Sequence, residues 1–234
     1  MTGAFDIHTS LPAALTDRAR TRRSIADFAA SWHQPLRPGD GRSAEQPAAC
    51  EHRPGPALPA ALRETYLLLG RRGDLTADHD TPLRPDELHV LDGALVYRVE
   101  NQGAASWGVL LADLDASRAG GDPGTVIRTD LADTTRERWE PWEPSLTVAC
   151  IAMVMAETVL FDGGFTDFLE ADAEETGLTQ RLRELPAVGR GARWFADDDV
   201  LIRALDGHGL NARARTQAAL ERLRAAVPGD RLDG

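Results

Sequence analysis

Apolar residues recur at two different periods along this chain, and each change of period predicts a change of element. Over residues 11–32 Ile25, Phe28, Ala29 and Trp32 fall at helical spacing, with Ser10 as candidate N-cap and Pro12 in the first turn. Ser43-Ala44-Glu45-Gln46 has the spacing of a capping box and opens a short helix, against which Pro47 counts. Leu58, Leu62, Tyr66 and Leu69 form one stripe, with Pro59 at the first position and Gly70 at the stop, which predicts a helix over 58–69. At Leu88 the period falls to two. Leu88–Leu91 and Ala94–Glu100 flank Asp92-Gly93 and predict a hairpin with a two-residue turn. In its second arm Leu95, Tyr97 and Val99 share one face, and Arg98 and Glu100 the other. Asn101-Gln102-Gly103 is turn chemistry, Ser106–Ala112 a third strand, and Thr125–Thr129 a fourth, after the loop Gly120 to Gly124. Leu146–Phe161 is apolar on every side and predicts a buried helix, capped by Ser145 and ended by Gly163-Gly164. Thr166–Ala173 is predicted helical. Gly191–Phe195 and Val200–Leu205 read as a second hairpin around Asp197-Asp198-Asp199. Thr216 caps a last helix that turns Leu220, Leu223 and Val227 inward and stops at Pro228-Gly229. Strands in series flanked by helices imply an α+β fold: a mostly antiparallel sheet of about five to six strands packed by helices, with an N-terminal helical extension.

Breaks at 36–42 and 53–59, the latter with three Pro and one Gly in seven residues, suggest a division of the chain. Residues 1–55 read as the helical extension and 56–234 as the α+β domain, together one compact unit. Charge follows the same boundary. Residues 1–55 carry six acids and seven Arg, whereas 56–234 carry 31 acids and 19 Arg, a net of −12. No Lys occurs anywhere, which excludes lysine-dependent catalysis and reads as a coding bias. The whole-chain charge of −11 opposes attraction to nucleic acid or to an anionic membrane, so neither is expected as a partner. The 16-residue apolar helix would be about 24 Å long, short of the ~30 Å hydrocarbon core of a bilayer. No basic-then-apolar leader opens the chain, so a cytoplasmic location is expected. Cys150 lies in the apolar run Val148–Ala156 and reads as a small hydrophobe; Cys50 lies in a polar stretch, and a disulfide is not expected.

A search for chemistry finds few candidates. The P-loop, nucleophile-elbow and dinucleotide-binding motifs are absent. Histidines at 8, 33, 52, 79, 89 and 208 never fall at H-x-x-x-H spacing, so no zinc site of standard spacing, and no cofactor, is expected. His79 stands between Asp78 and Asp80, where a carboxylate can orient it, but a solvated histidine in an acidic loop is the preferred reading. The Asp197–Asp199 run lacks the spacing of a calcium loop and suits a hairpin turn. Glu100 at a strand end is a possible general base, yet no second catalytic group stands at readable spacing. Glu100, Asn101 and Gln102 are therefore assigned to shaping the turn. Trp107 shares the Val109 face and reads as core, whereas Trp139 and Trp142 flank prolines and either plug the base of the following helix or serve as candidate partner contacts. Residues 162–175 hold six acids and no base, a solvated face or a surface that steers a basic partner.

Several of these pieces together resemble one family. Leu58-Pro59-Ala60-Ala61-Leu62-Arg63-Glu64-Thr65-Tyr66 is similar to the L-P-x-x-L-R-x-x-Y helix of the SUKH superfamily, which includes fungal cell-wall regulators of the SMI/KNR type and bacterial immunity proteins. Glu100-Asn101-Gln102-Gly103 followed by Trp107-Gly108 resembles the E-N-Q-G…W-G hairpin of that family, and Asp122-Pro123 its D-P-P loop, with Gly124 in place of the second proline. The likeness runs from about Phe28 to Phe161. It implies an α+β domain without a catalytic centre, hence not an enzyme. The implied function is protein binding, most often neutralisation of a toxin such as a nuclease, with a regulatory or scaffolding role as the alternative. The expected partner is a basic protein. The candidate contacts are Asp78, Asp80, Asp86, Trp139, Trp142, Glu170, Asp172, Glu174 and Glu175. An enzyme using Glu100, with Asp113 as a second carboxylate, is the remaining alternative.

Overall fold

A computed structural model of the chain describes residues 5–51, 56–117, 121–129, 138–205, 209–227 and 229. The 53–55 part of the Pro-rich break, Gly120, His52, His208 and Pro228 lie outside them. The fold is α+β with two antiparallel sheets. Contacts divide the chain into two compact units, one of residues 36–154 and one of residues 1–35 with 155–234. That division rests on packing and is a different one from the compositional boundary at residue 55.

The chain opens with α1 (Ile7–Thr16) and α2 (Arg18–Trp32), where periodicity predicts a single helix. The break is at Asp17, whose backbone is extended and whose carboxylate accepts the Ala19 N–H at 2.9 Å. An acceptor side chain at this point caps a new helix better than it continues the old one. Asp6, rather than Ser10, caps α1 through the His8 N–H. The Ser10 hydroxyl instead lies 2.8 Å from that of Ser24 on α2.

The 36–154 unit contains α3 (Glu45–Glu51), α4 (Ala60–Leu69), α5 (Gly73–Thr76) and a sheet built from β1 (Thr81–Pro82), β2 (His89–Leu91), β3 (Ala94–Val99), β4 (Ala105–Leu110), β5 (Val126–Thr129) and β6 (Glu140–Pro141), with α6 (Leu111–Ser117) after β4. The order is β1-β3-β4-β5-β6, and β2 pairs with β3 as well. The predicted hairpin at Asp92-Gly93 is present, with φ of 43° and 79° at its two turn residues, the positive pair that a tight hairpin turn needs. The stripe on α4 packs with Leu95, Tyr97, Trp107 and Val109 of the sheet and with Leu146, Ala149 and Cys150 to form one core. These last three belong to α7 (Leu146–Leu160), whose residues from Met155 onward fall in the other unit.

The second sheet contains β7 (Phe165–Leu169), β8 (Arg183–Glu184), β9 (Ala192–Ala196), β10 (Val200–Leu205) and β11 (Gly209–Ala214), ordered β7-β11-β10-β9-β8, with the short α8 (Leu178–Arg181) before β8. One face packs Phe195, Ile202, Leu210 and Ala212 against Leu220, Leu223 and Val227 at α9 (Gln217–Ala226). Thr216 caps α9 by accepting the Ala219 N–H, as predicted. The predicted helix over 166–173 is instead strand β7, paired with β11. Its short sequence fits either period, and the open edge of β11 selects the strand. No helix among the described residues is long and apolar enough to cross a membrane.

Candidate functional site

The residues of the family-like motifs fall into the framework of the 36–154 unit. Leu58, Leu62 and Tyr66 are buried, Pro59 precedes α4 as its N-cap, and Arg63 is half-buried on the same helix. The Tyr66 hydroxyl donates to the Leu83 carbonyl at 2.5 Å, tying α4 to the segment after β1. Glu100 is half-buried at the end of β3, and one of its carboxylate oxygens accepts the N–H groups of Gln102 (2.8 Å) and Ala104 (3.0 Å). Asn101 and Gln102 are exposed at the tip, and Gly103 has φ of +76°, a conformation that favours glycine. The glutamate thus holds the turn backbone, a task that the pattern of polar residues distributes over all three side chains. Gly108 is needed for a different reason. A Cβ there would lie 3.1 Å from the Leu95 carbonyl oxygen and 3.3 Å from the Trp139 ring. Asp122 accepts the Thr147 N–H with both oxygens at 3.3 Å, and the Pro123 carbonyl accepts the Leu146 N–H at 2.8 Å, so this pair receives the start of α7.

The candidate contact residues are more varied. Trp142 meets Trp107 edge-on, with centroids 6.4 Å apart, and packs against the core. Trp139 lies over Gly108 and donates its indole N–H to the Leu91 carbonyl at 3.2 Å. Asp78 is exposed, and Asp86 is exposed with Arg84 3.7 Å away. Glu170, Asp172, Glu174 and Glu175 are all exposed after β7. Glu174 pairs with Arg193, which donates to it and holds its carboxyl below the ordinary glutamate range. Arg193 also grips Glu184 through two 2.9 Å hydrogen bonds. Glu170, Asp172 and Glu175 make no ion pair among the described residues. The 78–86 loop and the 170–175 turn belong to different units.

Asp80 differs from its acidic neighbours because it is buried, with 8% of its surface exposed. One carboxylate oxygen takes a 2.8 Å ion pair from Arg98 on β3, and the Arg98 guanidinium stacks 4.8 Å from the centroid of Trp107. Charge pairing, a cation–π contact and cover by the sheet explain how two charged groups persist there. Pairing of Thr81 with Val99 sets residues 80 and 100 side by side at the ends of β1 and β3. His79 follows its neighbour to the same place. One ligand atom each of His79, Asp80 and Glu100 lies within 4.8 Å of the other two. Periodicity marks the strands but not which of them pair, so this cluster is not legible in the sequence. The only local signal is the His79-Asp80 dipeptide next to a strand end.

Elsewhere in this unit an apolar pocket is lined by residues including Leu62, Tyr66, Leu69, Tyr97, Cys150 and Met153. Burial pushes the Cys150 thiol up to about 11, so the thiolate is scarce near neutral pH. In the other unit Arg213 is buried and donates to the carbonyls of Phe161 (3.4 Å) and Trp32 (3.3 Å), with its guanidinium 5.1 Å from the Phe161 ring centroid. It closes strand β11 against the ends of α2 and α7, which is a packing role. No protein-family model, no curated protein and no solved structure matches this chain.

Proposed function

We propose that the protein is a non-catalytic binding module for a basic protein partner, of the kind that neutralises a toxin by direct contact. The observation that carries this reading is the turn after β7, where Glu170, Asp172 and Glu175 are exposed and make no ion pair among the described residues. Neighbouring acids already have cationic partners: Arg193 pairs with Glu174, and Arg224 with Asp167 at 3.1 Å. Exposed carboxylates held at high density create a negative field that speeds encounter with a cationic surface and fades with salt. The net charge of −12 over residues 56–234 extends that field. The SUKH-like motifs support the same reading, and their residues serve turns, caps and packing here, which leaves recognition to other surface positions. In this reading the complex blocks the partner sterically, with the carboxylates meeting cations that a nuclease would use to hold phosphate.

The test uses the full chain as bait in extract of its native cells, at low and at high salt. The expected result is capture of a basic protein whose association slows as salt rises. A variant carrying Glu170→Arg, Asp172→Arg and Glu175→Arg should bind that protein about tenfold more weakly or worse, through the on-rate. Equal binding by both chains at every salt concentration would refute the charge-steered reading.

A further inference from the structure

We infer that His79, Asp80 and Glu100 form a binding site for a divalent transition-metal ion of the zinc type, at the junction of β1 and the β3–β4 turn. The inference stands apart from the partner-binding proposal and rests on three observations. First, the donor set is one imidazole and two carboxylates, converging within 4.8 Å of one another. Zinc bonds to such donors are about 2.0–2.2 Å long, which places tetrahedral ligand atoms about 3.4 Å apart. Closure therefore needs movement of about an ångström. His79 is exposed, and a rotamer change of an exposed side chain can supply it.

Second, both carboxylates are already aimed by partners that a ligand shell requires. Arg98 holds one oxygen of Asp80 at 2.8 Å while resting on Trp107. The Gln102 and Ala104 N–H groups hold one oxygen of Glu100 at 2.8 and 3.0 Å. Ligating carboxylates are typically fixed by such outer hydrogen bonds, and losing those bonds costs affinity. Third, the charges suit a dication. Both carboxylates put negative charge at the donor atoms, which a divalent cation offsets. The imidazole selects zinc-like ions over magnesium, which prefers oxygen ligands and retains its waters. With three protein ligands, a water completes the coordination. The ion would bridge the loop before β1 to the turn after β3, segments that only two residue pairs of β1 otherwise hold together in the ladder.

The test is a calorimetric titration of the full chain with Zn2+, repeated with Mg2+, and thermal unfolding with and without Zn2+. One equivalent of Zn2+ should bind saturably and raise the unfolding temperature, while Mg2+ should not bind at comparable concentration. Loss of an outer hydrogen-bond partner typically weakens metal sites 10–100-fold, so losing a direct ligand in His79→Ala should weaken Zn2+ binding by about 100-fold or more. His79→Ala should leave the metal-free chain folded, checked by its unfolding temperature without Zn2+, because the side chain is exposed. Glu100→Gln, which keeps an oxygen acceptor for the turn, should weaken Zn2+ binding as well. His89→Ala, altering another exposed histidine on the same sheet, should bind as the parent does. No saturable Zn2+ binding, or equal binding by the parent and His79→Ala, would overturn the assignment.

Discussion

Glu100 illustrates how one side chain can read as chemistry in a sequence and as framework in a structure. A glutamate at a strand end suggests a general base, but its carboxylate holds two backbone N–H groups of the following turn. Removing it leaves donors at the hairpin tip without their charged acceptor. Glu100→Ala is expected to destabilise the chain by about 1–3 kcal/mol, and Glu100→Gln by clearly less, in urea unfolding. Equal losses in the two variants would remove the acceptor role. Gly108 is a second residue whose identity follows from space. Gly108→Ala must push the Leu95 carbonyl and the Trp139 ring apart by a few tenths of an ångström. The expected cost is about 1–3 kcal/mol, accompanied by a change in Trp139 fluorescence. Both motifs were visible as letters, but their tasks depend on which backbone groups stand around them.

Elements show the same division between pattern and context. The stripe on α4, the apolar run of α7, the cap at Thr216 and the Asp92-Gly93 hairpin were all legible, because each is specified by neighbours within a few residues. The single helix expected over 11–32 is two, since apolar periodicity passes through Asp17 while the capping chemistry stops there. The cap on α1 provides a pH test. The Thr9 hydroxyl, 2.6 Å away, and the His8 N–H hold the Asp6 carboxyl below its ordinary value. A folded value below the unfolded one gives stability that is present above the unfolded pKa, about 3.9, and is lost as pH falls through the folded value. Asp6→Ala should therefore be less stable than the parent by about 1 kcal/mol at pH 7, with the gap closing below about pH 4. A gap that stays constant into strong acid would show that the carboxylate does not cap α1. The period predicts a helix over 166–173, but the chain forms strand β7, Phe165–Leu169, because so short a segment satisfies either period. Pairing with β11 and the Asp167–Arg224 ion pair favour the strand.

In the molecule as a whole, each of the two compact units holds an apolar core that joins an antiparallel sheet to helices. Burial at this scale sets the reactivity of Cys150. At 3% exposure, with its thiol pushed up to about 11, it should resist a thiol reagent in the folded protein at pH 8. In a Cys50→Ser background, labelling should proceed only as fast as the protein opens, and should accelerate in denaturant in step with unfolding. Rapid native labelling would contradict the packing of α7. The acidity is likewise a property of the whole. Arg193 and Arg224 pair with two acids of the run 162–175, and Glu170, Asp172 and Glu175 are exposed and make no ion pair among the described residues.

By itself the sequence determined the α+β class, most helices and hairpins, the burial of Trp107 and Cys150, and the excess of negative charge. These follow from local periodicity, turn chemistry and composition, which act over a few residues or sum over all of them. Only the tertiary structure decided how the strands divide into two sheets, that Arg98 is buried on Asp80, and that His79, Asp80 and Glu100 meet. Those outcomes depend on which strand edges pair. The Thr81–Val99 register brings together residues about twenty positions apart, and strand pairing is a nonlocal choice made by packing the whole sheet.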